Sequence, residues 1–270
     1  MSETWRLILH PPARGAWNMA VDEAILEAVA GRKAPPTLRL YAWSPPCLSL
    51  GQAQPIAQVD RERLAALGWD VVRRPTGGRA VLHADELTYA LVLPAQHPLA
   101  QGGVLESYRR LAAALAEALR LLGLDPAITP EPGSPMQGKA ICFEEPSRYE
   151  ITVAGRKLLG SAQLRRQRAI LQHGSLPLWG DNGRIAQGLR YPDQAARQQA
   201  AAQVRARATT VAAALGRPIT WAAAARALRQ GLAQTFDLRW RFAVLSTEEW
   251  QRAVELQGEK YGHPAWTQRR

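Results

Sequence analysis

The stretch KAICFEEPSRYEITVAGRKLLGSAQ, residues 139–163, holds the two side chains with the clearest chemical potential. Cys142 stands among turn residues, and Lys157 follows inside an apolar run. A thiol becomes a better nucleophile when a neighbouring cation lowers its pKa, so Lys157 would activate Cys142 if the two were held close together. The spacing alone does not decide between that arrangement and a half-buried thiol beside a lysine that faces water.

A second candidate is the glycine pair in RRPTGGRAVLH, residues 73–83. Adjacent glycines after a strand let the backbone approach a ligand closely, and their N–H groups can bind an oxyanion. Arg73, Arg74, Arg79 and His83 add cationic or donor groups. The lysine and hydroxyl residue of a Walker loop do not follow the glycines. A plain hairpin turn with solvated arginines explains the same residues, and both interpretations stay open.

The third candidate is LQHGSLPL, residues 171–178, where polar residues end an apolar strand. His173 and Ser175 are two positions apart and share a face of a regular strand, so they could line a pocket beside Gly174. A satisfied polar cluster at a strand end is the simpler interpretation. The sequence suggests no third member of a Ser-His-Asp triad, and the histidine spacings predict no metal site.

Periodicity and turn residues place these candidates on strands and loops between helices. Helices are predicted over 14–32, which would open the fold, and over 59–68 and 104–124. Strands are predicted over 37–43, 48–52, 69–75 and 87–94, and a loop over 125–138. Three further strands follow up to residue 178, with a tight turn at Ala154-Gly155. The mixture predicts an α+β fold, with mixed or antiparallel β-sheets flanked by helices.

The chain of 270 residues is 47% apolar, which suits one domain with a sizeable core. We expect a single catalytic domain over 1–270, with the motifs in a core of about 14–190 and a helical C-terminal extension over 191–270. That extension is predicted to contain an N-cap at Asp193, a strand in DLRWRFAVL, and a cap at Ser246 or Thr247.

The formal net charge of +11 suggests an acidic partner, although a biased composition explains it equally well. No zinc finger, terminal helix-turn-helix or aromatic stacking motif accompanies the charge, so nucleic acid is not an expected partner. The sequence contains neither a secretory signal nor an apolar run that could span a membrane. With only Cys47 and Cys142, we expect a cytoplasmic protein with free thiols, in which Cys47 is a small buried filler.

Three motifs together resemble the biotin/lipoate ligase and transferase superfamily over about residues 14–190: RRPTGGRAVLHADELTYALV, GRKLLGSAQ and ILQHGSLPL. The resemblance implies a biotin/lipoate protein ligase-like catalytic domain, in which the glycine loop and the strand lysine surround an acyl group and its activated carbonyl. The substrate-binding residues that it implies are Arg73, Arg74, Gly77, Gly78, Arg79, His83, Gly160, Ser161, Ala162, His173 and Gly174.

Within this superfamily, the segment CFEEPSRYEITVAGRKLLGSAQ is most similar to the LipM-type octanoyltransferases, and EKYGHPAW resembles their C-terminal ending. The similarity implies that Cys142 carries an acyl thioester and that Lys157 lowers the pKa of its thiol. It also implies transfer of octanoyl from octanoyl-acyl carrier protein to a lysine of a lipoyl-domain protein such as the glycine cleavage H protein. This reaction is the first step of endogenous lipoate synthesis and needs no cofactor.

An ATP-dependent lipoate or octanoate ligase is the nearest alternative, and a basic binding module without catalysis is the third. The ligases usually have three consecutive glycines and then HD.GN. Here Arg79 follows the glycine pair, and HADELTY stands in place of the second motif. Both departures disfavour the ligase alternative.

Overall fold

The computed structural model describes residues 2–129, 150–166 and 168–269. Its strands are β1 (Glu3–Leu9), β2 (Thr37–Tyr41), β3 (Cys47–Leu50), β4 (Asp70–Arg73), β5 (Val81–His83), β6 (Glu86–Pro94), β7 (Pro126–Thr129), β8 (Glu150–Val153), β9 (Arg156–Arg165), β10 (Ala169–Pro177) and β11 (Leu238–Phe242). Its α-helices are α1 (Gly15–Ala30), α2 (Arg61–Ala66), α3 (Val104–Leu121), α4 (Gln194–Arg207), α5 (Val211–Leu215), α6 (Trp221–Phe236), α7 (Thr247–Leu256) and α8 (Pro264–Thr267).

Two sheets organise these elements. The large mixed sheet has the order β11-β1-β2-β6-β10-β9-β8-β7. Strands β11, β1 and β2 are parallel, and the pairing is antiparallel from β2 onward. In the small sheet, β3 lies between the parallel β4 and the antiparallel β5. Helices cover the large sheet, so the predicted α+β class is confirmed.

The central strand β6 shows why the core is layered. Leu91 and Leu93 pack into a cluster with α3 and α6, whereas Ala90 and Val92 pack into a second cluster with α1. Because successive side chains of a strand point to opposite faces, β6 is buried on both sides and its sequence does not alternate. The strand predicted over 87–94 is confirmed.

The first strand, β1, was not predicted, and the expectation that residues 14–32 open the fold is wrong. The consecutive residues from Trp5 to Ile8 are all buried, so both faces of β1 are covered and the alternation that marks a half-buried strand is absent. Its charged residue Arg6 is also buried, because the Glu249 carboxylate on α7 accepts a hydrogen bond of 2.7 Å from its Nη1 atom.

The predicted loop over 125–138 is also partly wrong. Residues Pro126–Thr129 form β7, which pairs with β8 at the edge of the large sheet. A proline is tolerated at the first residue of an edge strand, and pairing with β8 overrides the turn-forming composition. Residues 130–138 lie outside the described part of the chain.

Local signals predicted other features correctly. Ala154 and Gly155 have φ values of 49° and 73°, as a tight hairpin turn between β8 and β9 requires. Helix α7 begins with the predicted cap: Ser246 Oγ accepts from the Glu249 N–H at 3.2 Å, and the Glu249 carboxylate accepts from the Ser246 N–H at 2.9 Å. Asp193 caps α4 in a similar way.

The C-terminal elements are joined to the rest of the chain. β11 pairs with β1, α6 packs against α3, and α7 packs against α1. The division into a core and an extension of one domain stays a prediction. Within the described ranges, no helix has the length and apolar character needed to cross a bilayer.

Candidate active site

A pocket that is partly open to solvent lies where the two sheets meet. We call it the central pocket; it is lined by Met19, Tyr41, Trp43, Ser49, Arg74, Gly78, Val81, His83, Thr88, Gly160, Ser161, Ala162, His173, Gly174 and Ser175. Eight of the residues predicted to bind substrate lie in this wall: Arg74, Gly78, His83, Gly160, Ser161, Ala162, His173 and Gly174. Arg73, Gly77 and Arg79 do not line it.

His83 is held by a hydrogen-bond chain between Ser49 and Glu86. Its Nε2 atom lies 2.7 Å from Ser49 Oγ, and its Nδ1 atom lies 2.7 Å from Glu86 Oε1. The Glu86 carboxylate also accepts from the Ser175 hydroxyl. Trp43 stacks on the imidazole with 4.0 Å between ring centroids. These polar atoms bond to one another, and the stacked rings of Trp43 and His83 both contribute to the pocket wall.

A second chain of hydrogen bonds holds the His173 ring. The Nδ1 atom lies 3.2 Å from Asp22 Oδ2, and Nε2 lies 2.7 Å from Thr76 Oγ1. Asp22 also accepts from Arg39 at 2.6 Å and from the Tyr41 hydroxyl at 2.8 Å. The sequence suggested no acidic partner for a histidine, and the fold supplies one to each of the two pocket histidines.

The protonation of this second chain follows from burial and charge. Burial lowers the pKa of His173, although Asp22 opposes the shift. Burial by itself would raise the pKa of Asp22, but Arg39, His173 and Tyr41 hold it below its usual value. Because a carboxylate only accepts hydrogen bonds, His173 donates from Nδ1 to Asp22 and accepts at Nε2 from Thr76.

Arg74 fixes the glycine loop at the rim of the pocket. Its Nη2 atom donates to the carbonyls of Gly77 at 2.9 Å and Arg79 at 2.6 Å, and Nη1 donates to Ser49 Oγ at 3.1 Å. Gly78 has a φ of 90°, which favours glycine. No acceptor within the described ranges pairs with the N–H groups of Gly77 or Gly78, both of which are exposed. Oxyanion binding by this loop stays a prediction.

Arg73 points the other way, because consecutive residues at the end of β4 face opposite sides. It is fully buried. Its guanidinium donates to the main-chain carbonyls of Gly51, Gln52, Gln54, Trp266, Thr267 and Arg269. The structure therefore places Arg73 outside the pocket lining, and its predicted binding of substrate stays a prediction.

Lys157 is buried, which excludes the arrangement in which it faces water. Its ammonium forms an ion pair with the equally buried Glu150 carboxylate. A Cβ atom added to Gly160 would lie 3.1 Å from Lys157 Cε and 3.5 Å from Nζ. The ammonium therefore lies beside Gly160, a residue of the pocket wall. Its catalytic role stays a prediction.

Of the two cysteines, the structure describes Cys47 and not Cys142. Cys142 lies outside the described residues, so its predicted contact with Lys157 stays a prediction. Cys47 is fully buried in β3, as expected for a filler. Burial raises the pKa of its thiol well above the usual value, and the carboxylates of Asp70 and Glu86 raise it further. Cys47 is therefore a poor nucleophile at neutral pH.

Asp22 and Glu86 are the main functional residues that sequence reasoning missed. A signal for Asp22 was present: Asn18 and Asp22 are four positions apart in a helix whose surroundings are apolar, and buried polar groups require partners. Glu86 gave no comparable signal, since it begins a strand next to turn residues.

The described residues contain no cluster of histidine, cysteine and acidic side chains arranged to hold a metal ion.

Comparison with known proteins adds three findings. Residues 14–233 match the lipoyl protein ligase A/B catalytic domain family. The chain is 39% identical to an octanoyltransferase LipM of Symbiobacterium thermophilum, covering 100% of both chains, and 41% identical to one of Moorella thermoacetica, covering 100% of this chain and 99% of the relative. A bi-partite lipoate protein ligase of Thermoplasma acidophilum has the same fold, with a TM-score of 0.82, 24% identity, and coverage of 99% of this chain and 97% of that one.

Proposed function

This chain belongs to the lipoyl protein ligase A/B catalytic domain family, and from that premise we propose that it transfers octanoyl from octanoyl-acyl carrier protein to a lysine of a lipoyl-domain protein through a thioester on Cys142. It is an acyltransferase, as its full-length similarity to octanoyltransferases indicates. The observation that carries the mechanism is the position of Lys157, a buried and ion-paired ammonium beside the Gly160 wall of the central pocket.

The first half-reaction loads the enzyme. The Cys142 thiolate, stabilised by the Lys157 ammonium, attacks the carbonyl carbon of the donor thioester. The N–H groups of Gly77 and Gly78 are candidate donors for the tetrahedral oxyanion. The intermediate collapses by expelling the carrier thiolate, which takes up a proton, and octanoyl stays on Cys142.

The second half-reaction forms the product. An acceptor lysine loses a proton, and its neutral amine attacks the Cys142 thioester. The tetrahedral intermediate releases an N–H proton and expels the Cys142 thiolate, which leaves an octanoyl amide on the acceptor. Conversion of a thioester to an amide runs downhill, so neither half-reaction needs ATP.

The central pocket suits the acyl chain. Its imidazole, hydroxyl and carboxylate atoms bond mainly to one another, and Trp43, Met19 and Val81 add apolar surface. Burial of each methylene contributes about 0.8 kcal/mol, so the tail of about seven carbons beyond the octanoyl carbonyl gains roughly 5–6 kcal/mol. An enclosed end to the pocket would favour this length over longer chains.

The charge of the chain is consistent with the proposed partners. A net charge of +11 attracts acidic proteins, and acyl carrier proteins and lipoyl domains are usually acidic. Complementary charge raises association rates and selects partners more than it raises affinity. We propose the glycine cleavage H protein as the acceptor.

Incubation with octanoyl-acyl carrier protein in the absence of nucleotide, followed by intact-mass measurement, tests the proposal. We expect one octanoyl adduct on the wild type and none on Cys142→Ala. The matched control is Cys47→Ala, which should form the adduct, because the Cys47 thiol is buried and protonated.

Two results would overturn the proposal. Octanoylated acceptor that appears only when ATP is supplied would assign the chain to the ligase alternative. Full transfer by Cys142→Ala would exclude the thioester intermediate.

A further inference from the structure

The motif EKYGHPAW lies behind the central pocket. Two sets of hydrogen bonds, here called attachments, hold it there, and the first set joins it to α1. Asp22 points into the pocket network, whereas the next residue, Glu23, points toward the C-terminal segment. Lys260 Nζ donates to Glu23 Oε2 at 2.6 Å, and the Tyr261 hydroxyl donates to the same carboxylate. Burial by itself would raise the pKa of Glu23, but Lys260, Tyr261 and Arg166 hold it below its usual value, so the Glu23 carboxyl is ionised.

The second attachment is to the end of β4. Trp266 Nε1 donates to the Arg73 carbonyl at 2.8 Å, and Arg73 returns hydrogen bonds to the carbonyls of Trp266 at 3.2 Å and Thr267 at 3.0 Å. The next residue, Arg74, holds the glycine loop. At both attachments, one residue faces the C-terminal segment and its chain neighbour faces the pocket.

The two attachments are parts of one packed unit. The Lys260 ammonium lies 4.2 Å from the centroid of the Trp266 ring, and the Arg269 guanidinium lies 3.5 Å from that centroid. Tyr261 meets the same ring edge-on, with 5.8 Å between centroids. A shift of the Trp266 ring would therefore disturb the contacts that Glu23 and Arg73 make with this segment.

We propose that residues 260–269 are a positioning element of the central pocket, which sets His173 through Asp22–Glu23 and the glycine loop through Arg73–Arg74. None of residues 260–269 lines the central pocket, so the segment acts through these neighbours. The inference rests on the proposed function, because that function gives the pocket its substrate.

The test is Trp266→Ala, which removes both the hydrogen bond to the Arg73 carbonyl and the ring that contacts Lys260 and Arg269. At a temperature where the variant is folded, we expect kcat/KM for octanoyl transfer to fall roughly tenfold to a hundredfold, as for other small displacements of reacting groups. Trp266→Phe keeps the ring and should recover part of the loss. Trp250→Ala is the control, because this tryptophan is 54% exposed and its ring packs on Trp17, with 6.3 Å between centroids, away from the Glu23 and Arg73 attachments.

The second readout is the titration of the His173 ring by NMR, assigned with His173→Gln. This imidazole faces Asp22 from α1, Arg74 from the end of β4 and His83 from β5. We expect Trp266→Ala to shift the titration midpoint and Trp250→Ala to leave it unchanged.

Trp266→Ala with a lower melting temperature, an unchanged His173 titration and an unchanged kcat/KM would overturn the inference, since the segment would then only stabilise the fold. Failure of the proposed function has a different signature: the wild type would not transfer octanoyl at all, while the comparison of His173 titrations would still report on positioning.

Discussion

At the scale of single residues, the pocket and its surroundings contain buried polar groups that stabilise the fold only when their partners are present. Lys157 and Glu150 are each about 4% exposed and form one ion pair. Removal of water from two charges is costly, and their attraction offsets that cost only while both are present. This pair fixes the ammonium beside Gly160, where the proposed mechanism needs a cation.

A double-mutant cycle measures this dependence. We expect Lys157→Met or Glu150→Gln alone to lower the free energy of unfolding by about 3–5 kcal/mol, because each leaves one buried group without its main counterpart. The double variant should cost less than the sum of the two. Urea unfolding provides the measurement, and additive effects would show that the pair is not coupled. The exposed pair of Arg120 and Glu117 is the control, and Glu117→Gln should change stability little.

At the scale of elements, the pocket wall depends on the close approach of β9 and β10. Gly174 on β10 lies opposite Ser161 on β9, and Gly160 is the neighbouring residue. A Cβ atom at Gly174 would lie 2.7 Å from the Gly160 carbonyl oxygen and 2.8 Å from Ser161 Oγ. The backbone oxygen cannot move without the strand, so only glycine permits this spacing.

Gly174→Ala should therefore push the two strands apart. We expect a loss of about 1–3 kcal/mol in the free energy of unfolding, the usual cost of overpacking, together with weaker octanoyl transfer. Gly258→Ala is the matched control, because a Cβ atom added there would point into open space among the described residues. Thermal melts of the two variants suffice, and equal melting temperatures would contradict the argument.

At the scale of the whole molecule, histidines buried in their neutral form link stability to pH. Burial and, after it, the neighbouring Arg39 lower the pKa of His10 to about 4, and burial also lowers the pKa of His173. Both groups bind protons less readily in the folded chain than in the unfolded chain. Stability from this source is therefore fully present above the unfolded pKa of about 6.5 and is lost as pH falls toward the folded value.

We expect the urea midpoint of the wild type to decrease steadily between pH 6.5 and pH 4. His10→Gln should reduce that decrease, since glutamine keeps an acceptor for the Arg39 Nε atom, which donates to His10 Nδ1 at 2.9 Å, and does not titrate. The same slope in both proteins would assign the acid sensitivity to other groups. Below about pH 4 the Asp22 carboxylate adds a further loss of stability in the same direction, because its pKa is lowered in the folded state.

The features that could be predicted from sequence depend on neighbours along the chain. The helix α3, the turn at Ala154-Gly155 and the cap at Ser246 each arise from a few adjacent residues whose backbone preferences agree. The strand β1 and the strand β7 could not be found in this way, because their pairing partners lie far away in sequence.

The sequence by itself determined the fold class, the family, and the thiol and lysine on which the proposed chemistry rests. Tertiary structure decided which side chains meet in the pocket. His173 bonds to Asp22 across 151 positions, and of two adjacent arginines only Arg74 reaches the pocket while Arg73 is held by the C-terminal segment. The physical reason is that spacing encodes backbone conformation and local faces, whereas burial and long-range pairing determine what each face touches.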